Sequence, residues 1–370
     1  MRGCTNARSV STSTAAPVTS IAVAGGWGTV AERLLSRLAS DEAVDRLIVV
    51  DRERPPAIPA GARFVRADLR DPVLARVFRN VDVVITTAFA DHLRWDDDTL
   101  VAREHGLRRI LDAVEAADVD VVVHLSWALV YGASERNLVP LSETAPLRAD
   151  DRFEAVQHAL QADEAVRAFA GDHPQRRVVV LRAVPAVVPD VDSAVTRHLE
   201  SPLLPQVRGF DPPVQFVGVD DVVEAAVLVA LDRRARGVYN VAADGWLTSS
   251  DVRHILARPA LRLPEQIAVA GATALHRLGV LAVPPQALRY LMHPWVVDTS
   301  RLRALGWTPR TSQRDVLHQF VTEHRRWISF GRVRVRTMRL LASVAFTWTT
   351  VGAATLWLAW RRLQARLHAV

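Results

Sequence analysis

The stretch IAVAGGWGTVAERLLSRLA, residues 21–39, joins a short apolar strand to a glycine-rich turn and then to an amphipathic helix. As a motif it reads Gly25-x-x-Gly28-x-x-Ala31, with Trp27 and Thr29 completing the turn. In a nucleotide-binding turn the first glycine permits the tight bend and the second lets the backbone approach a pyrophosphate. The third, small position lets the helix pack close to the strand. The free N–H groups and the dipole at the helix start then face the anion.

Downstream, RLIVVDRERP has the pattern of a buried strand and ends at Asp51, from which a carboxylate can accept hydrogen bonds from both adenosine ribose hydroxyls. An acidic group there favours NAD over NADP, whereas the adjoining Arg52 offers a partner for a ribose phosphate. The next strand, ARFVRADLRDP, carries Asp68 and Leu69 at its end, and VDVVITTAFA ends in the small and apolar residues Ala88, Phe89 and Ala90. Strands alternating with helical segments at this spacing predict a doubly wound α/β fold around a parallel sheet.

Further segments follow in order: VVVHLSWALVYG at 121–132, VVVLRAVPAVVP at 178–189, FVGVDDVVEAA at 216–226, GVYNVA at 237–242 and DTSRLRALGWTP at 298–309. With the glycine turn, this series resembles the extended short-chain dehydrogenase/reductases, the NAD-dependent epimerase/dehydratase group. The resemblance implies a Rossmann domain at 20–185, completed by segments near 216–245, and a smaller α/β substrate lobe at 186–325. It also implies NAD held by Gly25, Trp27, Gly28, Thr29, Asp51, Arg52, Asp68, Leu69, Ala88 and Phe89. The implied chemistry is hydride transfer to or from a nucleotide-sugar or lipid-linked substrate.

The same resemblance exposes a gap. Members of the group carry a Tyr-x-x-x-Lys pair on the helix after the fifth strand, and the stretch DRFEAVQHALQADEAVRAF at 151–169 has neither residue. The chain contains no lysine at all; its 46 basic side chains are arginine. Arginine stays charged and presents a rigid fork, so it is no substitute for a compact ammonium. Alignment on Val130-Tyr131-Gly132 places Trp127 where the group has a serine or threonine. Ser126, Tyr131 and His158 are then the candidate catalytic residues. His158 lies four residues from Glu154 on one helix face, which reads either as an acid–base couple or as a solvated surface. His124, inside a strand, reads as a buried core histidine or as a proton shuttle. The alternative function is a non-catalytic dinucleotide-binding scaffold or sensor.

Apolar residues make up 49% of the 370-residue chain, enough for a sizeable core, and a lone Cys4 leaves no internal disulfide and argues against a cysteine metal site. Residues 1–19 read as a disordered leader. The net charge of +6 comes without a basic helix interleaved with aromatics in the folded portion, which argues against nucleic acid. Residues 340–360, LLASVAFTWTTVGAATLWLAW, carry no charge and as a helix would span about 30 Å, the thickness of a bilayer core. Arginines in the basic segment 326–339 outnumber those in the tail, 361–370. The positive-inside rule then puts the folded domain on the cytoplasmic side of a membrane. The stretch 263–295 is apolar for a lobe expected to hold a sugar nucleotide, and reads as core packing or as the lining of a lipid-linked substrate site. A homodimer is the remaining partner expectation.

Overall fold

A computed structural model of the chain describes residues 19–25, 28–68, 71–89, 97–150, 152–188, 191–281, 284–323, 327–331 and 333–336. Its first half alternates strand and helix: β1 Thr19–Ala24, α1 Thr29–Ala39, β2 Val44–Asp51, β3 Arg63–Arg66, α2 Leu74–Val77, β4 Val83–Thr86, α3 Asp97–Ala116, β5 Val121–Trp127, α4 Glu154–Asp172 and β6 Arg177–Ala183. The second half is more broken. It runs β7 Ala186–Val187, α5 Ala194–Glu200, β8 Leu204–Val207, β9 Pro213–Val214, β10 Val217–Gly218, α6 Val219–Leu231 and β11 Gly237–Val241. After these come β12 Leu247–Thr248, α7 Ser249–Leu256, β13 Ala260–Leu263, α8 Glu265–Arg277, α9 Ser300–Arg303, α10 Gln313–Glu323, β14 Trp327–Phe330 and β15 Val333–Arg336.

Seven strands form one sheet in the order β11-β6-β5-β4-β1-β2-β3, every neighbouring pair parallel. A parallel sheet is buried on both faces, which is why its central strands are unbroken apolar runs rather than alternating ones. Ile21, Ile48, Ile85, Val123 and Val180 are all at most 4% exposed. Helix α1 packs beside α6, and α3 beside α4. Helix α1 buries the stripe Val30, Ala31, Leu34, Leu35 and Leu38, each buried leucine contributing about 1.5–3 kcal/mol. The strand order reverses between β1 and β4, and the crevice at the carboxyl ends of those two strands is where an open α/β sheet takes a ligand.

The second lobe has its own small core, which includes Leu199, Leu204, Phe216, Val252, Leu317 and Phe320. The expectation of core packing for 263–295 needs correction in α8: of its 13 residues only Ala268 is buried, while Ile267, Leu275, Leu278 and Val280, the last two just beyond its end, are exposed. Part of the basic segment after 325 is also more ordered than a linker. Strands β14 and β15 pair as an antiparallel hairpin, and Arg334 meets the buried Glu200 of α5 at 2.6 Å. Among the described residues no helix is long and apolar enough to cross a membrane; the segment 340–360 and the leader 1–18 lie outside them.

Candidate functional site

Gly25, directly after β1, has φ +100°, a conformation that side chains rarely adopt. A Cβ there would stand 3.2 Å from the Ala88 nitrogen and 3.3 Å from its Cβ, so the two strand ends approach as closely as backbone allows. Thr87 ties them, its hydroxyl donating to the Gly25 carbonyl at 2.7 Å. Gly28 is extended at the N-cap of α1, and no side chain caps the helix there. The first turn, beginning at Thr29, is where a helix start presents backbone N–H groups of the kind that suit a pyrophosphate. Ala88 and Phe89 are fully buried under this crevice. Asp51 closes β2, one Oδ accepting from the Glu53 N–H at 3.2 Å, and beside it Arg52 pairs with Asp68 at 3.5 Å. The glycine cradle, the uncapped helix start and the strand-end carboxylate are the donor and acceptor set that a dinucleotide requires. Trp27 and Leu69 lie outside the described residues.

The candidate catalytic residues fall elsewhere. Ser126 is 2% exposed and donates to Asp163 at 3.3 Å. Asp163 in turn takes both prongs of Arg182, from Nε at 2.8 Å and Nη2 at 2.6 Å. Arg182 also donates to the Tyr131 hydroxyl at 2.9 Å, and that hydroxyl donates to Asn240 Oδ1 at 2.8 Å. Burial pushes the Tyr131 phenol upward, against the pull of Arg182. Tyr131 and Ser126 thus belong to one internal polar network that stitches β5, α4, β6 and β11. His158 turns toward α3 and meets Glu104 at 2.9 Å, while Glu154 is exposed; the two do not form a couple. His124 is wholly buried, bonded to Thr86 at 3.0 Å, and burial lowers its pKa to about 4. It is a neutral core imidazole at neutral pH.

Trp127 is also buried, edge-on to Phe89 at 5.8 Å, and its Nε1 has no hydrogen-bond partner. These rings form an apolar wall beside the ends of β4 and β5. A cavity of about 280 Å³ is lined by residues that include Leu129, just after β5, and Pro185, just after β6. Its walls are overwhelmingly apolar, with Leu199, Leu204, Phe216 and Trp295 among them. Tyr290 lines it too, donating its hydroxyl to the Leu129 carbonyl at 2.8 Å, and burial pushes its pKa well up. Nothing in the local spacing around Tyr290 signals that it reaches this point. Arg182, by contrast, left a signal, a charge inside the apolar run VVVLRAV.

The model of the NAD dependent epimerase/dehydratase family matches residues 21–242. An uncharacterized protein of Mycobacterium tuberculosis is 30% identical over 292 residues, covering 75% of this chain and 76% of that protein. Among solved structures, the UDP-glucose 4-epimerase of Thermotoga maritima with UDP-glucose superposes with a TM-score of 0.63 at 17% identity, covering 82% of this chain and 98% of that one. The dTDP-glucose 4,6-dehydratase DesIV of Streptomyces venezuelae, with NAD bound, gives a TM-score of 0.62 at 20% identity and covers 82% and 96%. The sheet order, the glycine turn and these matches agree, and the chain belongs to the NAD dependent epimerase/dehydratase family.

Proposed function

We propose that this chain binds NAD(H) in the crevice between β1 and β4 and acts as an oxidoreductase on an apolar, membrane-delivered substrate held in the cavity that Tyr290 lines. The observation that carries this reading is the cavity itself. Leu129, two residues after β5, and Pro185, two residues after β6, line it, and it offers few polar groups, so the hydroxyls of a free sugar would lose water there without gaining partners. NAD is bound by neighbours of the same fold, such as DesIV. When bound, the cofactor supplies or accepts hydride. Gly25 and the start of α1 would receive its pyrophosphate, Asp51 would accept from its ribose, and the buried Phe89 and Trp127 would keep water from that part of the crevice.

The acid–base step falls to Tyr290, the phenol on the cavity wall. Burial keeps it protonated, so it cannot serve as a base, and a substrate carbonyl oxygen that displaced the Leu129 carbonyl would become the acceptor of its hydroxyl proton. Reduction is therefore the favoured direction. Residues 340–360 anchor the protein, with the folded domain on the cytoplasmic side, and the exposed Ile267, Leu275 and Leu278 of the α8 region support contact with lipid.

The test is consumption of NADH with medium-chain aldehydes and ketones. Tyr290→Phe should lower turnover by about 10²–10⁴-fold with NADH affinity unchanged. Rapid turnover of a UDP-sugar, or an unaffected Tyr290→Phe enzyme, would overturn the reading. The apolar wall of Phe89 and Trp127, both buried, favours one second reading, a non-catalytic dinucleotide-dependent binder. Its mark is tight NADH binding with no consumption on any apolar carbonyl.

A further inference from the structure

Among the described residues, Arg253 and His198 line the cavity with no side-chain hydrogen bond. On α7, Ser249, Val252 and Arg253 share the face that lines it, and on α5 His198 does the same. The charged neighbours on α7 are occupied: Asp251 caps the helix through Thr248 and stands 3.7 Å from Arg314, and His254 bonds the Ser250 carbonyl. Arg253 is different. Its Nε is buried without a hydrogen bond, and no ion pair engages its guanidinium among the described residues. His198 is likewise unbonded through its ring, and burial lowers its pKa to about 4, leaving it a neutral donor or acceptor.

Only the Nε of Arg253 is enclosed; the residue is half-buried, its terminal nitrogens stay accessible to an incoming anion, and its planar fork matches a carboxylate or a phosphate. The remaining space suits a chain. At about 280 Å³ the cavity is far larger than the space a single water needs. We propose that the cavity binds an amphipathic anion, an alkyl chain bearing a carboxylate or phosphate head, with the head paired to Arg253 and the chain against the apolar walls. The inference rests on the cavity being the substrate chamber of the proposed reaction, and it names the class of that substrate.

Octanoate, octyl phosphate and octanol test it, titrated into the full chain in lipid nanodiscs with empty discs as the blank. Either anion should bind at least about tenfold more tightly than the neutral alcohol, a gap of about 1.4 kcal/mol. Arg253→Met should erase that gap, Arg253→Lys should retain part of it, and Arg253→Gln serves if the Met variant does not fold. Octanol binding as tightly as the anions, or a preference that survives loss of the charge, would overturn the proposal. Titration of NAD into the same discs separates the two readings. NAD binding without anion preference sinks this inference alone; anion preference without NAD binding sustains it and sinks the proposed reaction.

Discussion

Arg182 and Asp163 face each other as a two-pronged ion pair wholly inside the protein, their side chains 1% and 0% exposed. Burial works against the guanidinium charge and Asp163 more than restores it, so the pKa of Arg182 is held above its ordinary value. The pair occupies the ground behind β5 where acid–base groups were expected, and it takes Ser126 and Tyr131 into a structural role. Removing one partner strands the other. Asp163→Leu alone should cost about 3–5 kcal/mol in denaturant unfolding, whereas the double variant with Arg182→Met should recover much of that loss. Additive losses in the double variant would show that the two side chains act independently.

Gly25 makes a sharper test of the cofactor crevice. With φ at +100° and Ala88 within 3.2 Å of a would-be Cβ, Gly25→Ala should destabilise the fold by about 1–3 kcal/mol and abolish measurable NAD binding. Calorimetric titration of NAD checks the second half. Unchanged affinity would move the cofactor away from the β1–β4 crevice.

Asp51 and the Arg52–Asp68 pair bear on the choice between NAD and NADP. Asp51 is positioned for ribose hydroxyls, and Arg52, the group that would welcome a phosphate, is engaged by Asp68 at 3.5 Å. NAD(H) should bind more tightly than NADP(H), and Asp51→Ala should weaken NAD(H) by about 1–3 kcal/mol. Asp68→Ala frees Arg52 and should narrow the gap between the two cofactors. NADP(H) binding at least as tightly as NAD(H) to the unaltered protein would show that Arg52 governs the site.

The glycine turn, the strand-end carboxylate and the parallel sheet were legible because each depends on local spacing: a tight bend, a period of apolar residues, a residue at a strand end. The fate of Ser126, Tyr131 and His158 was not. Whether a hydroxyl faces a substrate or an internal arginine is set by partners 37 and 109 residues away, as Ser126–Asp163 and Tyr131–Asn240 illustrate. Arg253 was hidden for a related reason. An arginine on a short helix looks like any solvated charge until the helix is docked with that face inward.

His124 supplies a stability signature. Its folded pKa of about 4 lies below its ordinary 6.5, so the folded state resists a proton that the unfolded chain accepts. Stability is then full above about pH 6.5 and falls as the pH drops toward about 4, by about 3 kcal/mol from this residue alone. Urea unfolding at neutral and mildly acidic pH should show that decline, and His124→Gln should flatten part of it. An equal acid loss in the variant would assign the effect to other groups.

The tail gives the last expectation. Residues 340–360 carry no charge and arginines flank them on both sides, so insertion and simple adsorption to anionic lipid both bring the protein to membranes. Salt separates them, because adsorption is screened over a Debye length of about 8 Å at physiological ionic strength whereas a buried apolar helix is not. The full chain should therefore stay with membranes through high salt and carbonate. Thr350→Arg, at the centre of the stretch, should cost about 2.5–3.5 kcal/mol of insertion free energy and release a measurable fraction. A chain ending after β15 should leave the membrane fraction with its NAD affinity intact, since the hairpin that holds Glu200 is retained. If Thr350→Arg remains bound, or if the shortened chain aggregates, the stretch packs against the folded domain and the membrane assignment fails.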